Sequence, residues 1–296
     1  MKTKMFFAGL VLLAASSCSS VNDDMVNNVL PEETVAPVMV HVDAFSVEQG
    51  NFPETRGTAV GDYASLKALT LAFYRDNGTE VYKHTQFKSD ASTYTTFGEF
   101  SCSLGLGSYT MVVLGYGSDS EISLTSPTTA AYTADAVRDT FAATQEVTIT
   151  NSEAKNLTAT LNRIVSAIAI ISTDERAATV TAIRTTLSGG SKSFNPTTGL
   201  ATDNAGIVNR VTTTAIGVTQ TANYVFLASN EQTMNVTIET LDADNHVLFS
   251  KTINDVPVKI NRLTRLTGAI YSPSASATAG SFELNTEWLS SYTMNF

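Results

Sequence analysis

Residues 69–81 read LTLAFYRDNGTEV. Leu69, Leu71 and Phe73 recur at period 2, the pattern of a strand with one face turned to a core. Asn77-Gly78 then supplies the φ > 0 residues that a type I′ turn needs, and Val81 opens a returning strand. The stretch therefore predicts a β-hairpin. The same grammar extends in both directions from it. Val38, Val40 and Val42 alternate with Met39, His41 and Asp43 as a first strand, followed by a pattern-free, Gly- and Pro-containing loop over 48–62. Phe100, Cys102 and Leu104 alternate with Ser101 and Ser103, which puts Cys102 on a buried face. Residues 105–116 (GLGSYTMVVLGY) predict a turn and a strand buried on both faces. Ala134, Val137 and Phe141 sit at helical spacing and predict a short helix, and 147–150 and 157–161 are further short strands.

The most apolar stretch outside the N-terminus is IVSAIAII at 164–171, short enough to be a central strand and bounded by Arg163 and a Ser-Thr-Asp-Glu-Arg run. A domain boundary is placed at 161/162. Beyond it the theme repeats: strands over 180–188, 212–218 and 224–228, a pair at 236–240 and 247–252 around Asp242-Ala243-Asp244-Asn245, then 256–260 and 263–271. Many short strands separated by turn signals describe an all-β chain of two tandem β-sandwich domains, 36–161 and 162–296.

Composition agrees. The 296 residues carry 18 Lys+Arg against 28 Asp+Glu, a net charge of −10, with 43% apolar and only 16% charged residues. Disordered chains show the opposite balance. An acidic chain without a basic block does not suit a nucleic-acid partner, because phosphate neutralisation needs clustered Lys and Arg. Two Cys and three His leave no set of zinc, haem or iron–sulfur ligands.

The first residues, MKTKMFFAGLVLLAASSC, join two lysines to the apolar run 5–15 and a small-residue stretch before Cys18. The run is shorter than the ~20 residues a membrane span requires but suits a signal peptide. It resembles a bacterial lipobox, with leader 1–17 removed and Cys18 lipidated at the head of a tether, 18–35; an ordinary secreted leader is the plainer alternative. Asp23-Asp24 resembles a surface-export signal of Bacteroidota lipoproteins. With Cys18 acylated, Cys102 has no disulfide partner and is read as an inert core thiol.

Catalytic motifs fail on inspection, so no enzyme and no cofactor is expected. Gly105-x-Gly107 lacks the third glycine of a dinucleotide loop and precedes a strand. Gly189-Gly190-Ser191 lacks the closing glycine of a nucleophile elbow, and Ser152-x-x-Lys155 has no companion motifs. Asp242-x-Asp244-x-His246 offers two oxygen ligands of a calcium loop without its Gly or terminal Glu, and reads better as a hairpin tip.

Taken together, the lipobox ending at Cys18, Thr55-Arg56-Gly57 after the first strand, Gly107-Ser108-Tyr109-Thr110-Met111-Val112, Leu161-Asn162-Arg163-Ile164-Val165-Ser166-Ala167 and the segment VKINRLTRLTG at 258–268 resemble the fimbrillins, the subunits of type V pili of Bacteroidota. Such subunits commonly have Ala-Lys where this chain has Ser166-Ala167. The resemblance implies transthyretin-like sandwiches, outer-membrane display as a lipoprotein, and a stalk or tip subunit of an adhesive fimbria. It further implies cleavage by an Arg-specific protease between Arg56 and Gly57, and polymerisation with other fimbrial subunits by donor-strand exchange. The alternating tail Tyr292, Met294, Phe296 is then either a strand of its own domain or the donor strand for a neighbour. A surface glycan-binding lipoprotein of a polysaccharide-uptake system is the alternative, although Trp288 is the only Trp. The lipobox reading predicts that Cys18→Ala abolishes metabolic labelling by a fatty-acid analogue and reduces surface display; unchanged labelling would refute it.

Overall fold

The computed structural model describes residues 34–46, 60, 63–133, 136–213, 217, 219–271 and, by their backbone, 292–295. The leader, Cys18 and the tether as far as residue 33 lie outside these residues; Val35, read as the tether's last residue, is instead the first of a strand, because it pairs with Gly105. Residues 34–296 cluster as one unit. The fold is all-β of sandwich type, and no α-helix occurs among the described residues.

In the first half, β1 (Val35–Ser46), β2 (Ala68–Arg75), β3 (Glu80–Phe87), β4 (Glu99–Gly105), β5 (Gly107–Tyr116), β8 (Thr140–Ile149) and β9 (Lys155–Arg163) form one sheet of order β3-β2-β5-β8-β9-β1-β4. β8 and β9 pair only at Phe141↔Arg163 and Ala142↔Asn162. The sheet therefore folds over at that corner, and β9-β1-β4 faces β3-β2-β5-β8. The alternating residues of both layers meet inside: Val38, Val40 and Val42 share one core cluster with Leu69, Leu71, Phe73, Met111 and Val113.

In the second half, β10 (Ser166–Ser172), β14 (Gln220–Val225), β17 (Leu263–Gly268) and β18 (Tyr292–Asn295) make one layer, ordered β14-β10-β17-β18. β11 (Ala182–Leu187), β13 (Ile207–Thr212), β15 (Glu231–Leu241) and β16 (Val247–Lys259) make the other, ordered β13-β11-β15-β16. Ile168 and Ile170 of β10 pack with Ile183, Val236, Ile238 and Val256 between them.

Two devices join the halves. A small sheet pairs β7 (Thr129–Ala131) with β6 (Ser123–Ser126) on one side and with β12 (Ser193–Phe194) of the second half on the other. A third core cluster lies on the outer face of β2 and β5, where Ala72, Tyr74, Val112 and Leu114 meet Ile164, Phe194 and Phe226, the last two stacked at 4.1 Å.

Two expectations are corrected here. No helix occurs over the described part of the 134–141 stretch, residues 136–141: Thr140 and Phe141 lie on β8, and tertiary ladder bonds to β5 override the local spacing. In the first hairpin only Gly78 has φ > 0 (81°), not Asn77, so the turn is not type I′. Gly78 N donates to Arg75 O and Arg75 N to Thr79 O, with a register shift at Phe73/Tyr74, the three-residue loop with a bulge that is the next commonest solution.

Where the halves meet, Arg163 is buried. Its Nε donates to Asp139 Oδ1 at 2.8 Å, and its Nη2 donates to Asp139 Oδ2 at 3.0 Å and Tyr63 Oη at 2.6 Å. Its Nη1 reaches Asn261 Oδ1 of the second half at 3.3 Å. The guanidinium lies 4.9 Å from the Phe141 ring centre. Removing one partner strands a buried charge, which costs about 3–5 kcal/mol. Arg163→Ala should lower the unfolding free energy by about that much. Asp139→Asn combined with it should add far less than its own single effect, measured by denaturant titration.

Candidate functional site

The sequence directs attention to the first strand, the loop after it and the last strand. β1 is an interior strand with partners on both sides. It runs antiparallel to β4 from Val35↔Gly105 to His41↔Glu99, and parallel to β9 from Val38↔Lys155 to Ser46↔Asn162, with a bulge between Val42 and Ala44. Pro37, which has no N–H to give, sits where only β4 is alongside, because the β9 ladder starts at Val38. The alternation read from the sequence is the burial pattern observed: Ala36, Val38 and Val40 are fully buried, and Val42 nearly so, while Met39 between them is 53% exposed. Full burial of a Val contributes roughly 1.5–3 kcal/mol, so the three valines hold the strand by several kcal/mol before any ladder bond is counted. Without β1, β9 and β4 would face each other across an open slot floored by β2 and β5.

On β4, Cys102 stands opposite Val38 and is half-buried against the same core. Burial pushes its thiol up to about 11, which keeps it protonated and unreactive at neutral pH.

Arg56 and Gly57 lie outside the described residues. The chain is described again at Val60 and Tyr63, and both are buried in the same core cluster as β1. Tyr63 Oη also donates to Asp139 Oδ2 at 3.1 Å, within the Arg163 cluster. Of the tail, Tyr292 and Met294 lie on β18, and Phe296 is outside the described residues. β18 runs parallel to β17, Thr264↔Tyr292 and Leu266↔Met294, at the edge of its layer. Strand β1 and strand β18 therefore belong to different sheets.

The Asp242, Asp244 and His246 side chains converge, with ligand atoms within 4.8 Å of one another. Asp242 Oδ1 accepts from the backbone N–H of Asp244 and of His246, and Oδ2 contacts His246 Nδ1. The bonds from the His246 backbone, above all, hold the Asp242 carboxyl below its usual range. Its oxygens close the β15–β16 hairpin, with Asn245 at φ 65°.

What sequence reasoning missed is the Arg163–Asp139–Tyr63 cluster. In the sequence Arg163 reads as a flank of the apolar run and as part of the 161–167 motif, and Asp139 falls inside the stretch with helical spacing.

No curated protein matches the chain. Among solved structures, it is similar to a provisionally assigned adhesin of Bacteroides ovatus (14% identity, 81% of this chain and 88% of that one, TM-score 0.49). It is similar also to the fimbrial anchor protein Mfa2 of Porphyromonas gingivalis (11% identity, 73% and 82%, TM-score 0.43). A third is a fimbrial assembly protein of Parabacteroides distasonis (11% identity, 81% and 92%, TM-score 0.38). A described family matches residues 118–286, more than half of the length. The chain belongs to that family, the family of unknown function DUF6562.

Proposed function

We propose that this protein is a stalk or tip subunit of an adhesive cell-surface fimbria, exported as a lipoprotein, cut after Arg56 and polymerised by exchange of its first strand for a strand of a neighbour. One observation carries the reading: β1 is an interior strand that lies entirely upstream of Arg56, so a cut there detaches it from the body covalently while leaving its two ladders unsatisfied on departure. Val60 and Tyr63, just downstream, are core residues, so the body keeps its new terminus. Strand addition suits the vacancy, because backbone ladders give affinity and alternate side chains fill the four pockets left by Ala36, Val38, Val40 and Val42. The edge strand β18, held on one side only, is the donor in this scheme.

Cys102 supplies an internal reporter. After cleavage by an Arg-specific protease, loss of β1 should expose the thiol, lower its pKa from about 11 and accelerate alkylation severalfold at pH 8; strand insertion should reverse this. Arg56→Ala should leave Cys102 protected and the protein monomeric in the presence of protease. Filaments from that variant would refute the scheme.

Deleting residues 291–296 tests the donor. β18 covers one edge of β17 through a four-residue ladder, so its loss should leave thermal unfolding nearly unchanged yet abolish polymerisation of Arg56-cleaved protein. Filaments of normal length from the truncated chain would assign the donor role elsewhere.

A further inference from the structure

The folded-over sheet of the first half has two free edges, β3 and β4, and they do not pair with each other. At one end a single side chain stitches them together. Gln86 of β3, 1% exposed, donates through Nε2 to Glu99 O at 2.7 Å and accepts from Gly98 N at 2.8 Å. Going back along β3 from Gln86, the edges stay apart and a cleft of about 440 Å³ opens between them. That is within the ~300–1,000 Å³ of ordinary ligand sites.

Tyr82 and His84 of β3 form one wall, Glu99 and Phe100 of β4 the other, and Tyr94 lies in the loop at the rim. Rings accumulate here: His84 is edge-on to Phe100 at 6.1 Å, and Tyr94 edge-on to Phe97 at 5.5 Å. The loop holding Tyr94 is fixed by Asp90, whose Oδ1 caps Ser92 N and whose carbonyl accepts from Thr93 Oγ1. Among the described residues, the Tyr82 and Tyr94 hydroxyls and the His84 ring make no hydrogen bond, and the Glu99 carboxylate pairs through Oε1 with His41. Aromatic faces and unspent hydroxyl, imidazole and carboxylate groups thus stand together in one concave site.

The lining selects its ligand by chemistry. It holds no Lys or Arg and includes Glu99, so an anion finds no countercharge there. One carboxylate and one imidazole from opposite walls are too few for a metal site. A pyranose ring presents a C–H face that packs on an aromatic ring and a rim of hydroxyls that pairs with carboxylate and phenol groups. We infer that this cleft is a binding site for neutral pyranose oligosaccharides. The lining also includes Met39 of β1, so in the proposed assembly that one position passes to the incoming strand, while the residues of β3, β4 and the loop between them stay with the body.

The test is a panel of immobilised neutral oligosaccharides built from glucose, galactose, mannose and N-acetylhexosamines, probed with the full chain and followed by calorimetric titration with the best binder. The expected result is saturable binding with at least a tenfold loss of affinity for Tyr94→Ala and for Glu99→Gln, both with unchanged thermal unfolding. Lys83→Ala, on the opposite face of β3, should bind as the parent does. No saturable binding to any neutral oligosaccharide on the panel would overturn the inference. So would binding that survives both substitutions, or binding confined to acidic saccharides and lost on adding salt. Polymerisation is not read in any arm, so failure here and failure of the fimbrial reading are distinguishable.

Discussion

Everything in the first half depends on the pairing of β1 on both its sides. A layer of three strands, β9-β1-β4, exists only while its middle member is present, and the core between the layers is closed by Ala36, Val38, Val40 and Val42 from that member. The second half solves the same problem with the same arrangement. There β10 lies between an antiparallel neighbour, β14, and a parallel one, β17, as β1 lies between β4 and β9. The difference is covalent. β10 follows β9 within a few residues and leads on into the strands of the second half, so it cannot leave. β1 is joined to the rest of the fold only through the loop that contains Arg56.

The two halves are also held so that loss of β1 need not unravel them. The Arg163 cluster ties Tyr63, ahead of β2, to the β8–β9 corner and to Asn261 of the second half. Its members named here, Tyr63, Asp139, Phe141, Arg163 and Asn261, lie on other segments than β1. The third core cluster, with Phe194 and Phe226 against β2 and β5, is likewise independent of β1. These two attachments keep the halves joined without β1; β4, whose only ladder is with β1, regains a partner in the proposed exchange when a foreign strand fills the slot.

Much of the architecture was legible because one-sided strands write their burial into the sequence at period 2. VMVHV at 38–42 is read correctly as a strand from residue type alone, down to which side chains are inside; the 69–81 hairpin is read correctly as two strands, but its second buried face, Ala68, Thr70, Ala72 and Tyr74, is not. Partnership is not legible that way. The β1–β9 ladder joins Val38 to Lys155, and nothing near either residue specifies the other; it is fixed by which layers can close a core. The helical spacing at 134–141 misled because three apolar residues fit either period when the segment is short, and Asp139 of the buried cluster was lost with it. The cleft was illegible for a further reason: Tyr82 and Glu99 are ordinary edge residues until two edges are seen to stop short of pairing.

The proposed trigger acts on concentration more than on contact strength. While the connection is intact, β1 competes for its slot as an intramolecular ligand, at an effective concentration of order millimolar for a tethered segment. A neighbour's strand offering similar ladders and side chains at lower concentration cannot displace it. Cutting the loop changes no ladder bond and no buried valine, but it reduces β1 to a free peptide whose concentration falls with dilution. A donor strand carried on a neighbouring subunit then becomes the tethered competitor, because growth of the filament holds it beside the slot. The same valines that make β1 a stable plug thus make its slot a strong receptor afterwards, and direction is imposed by which strand is still attached to a body.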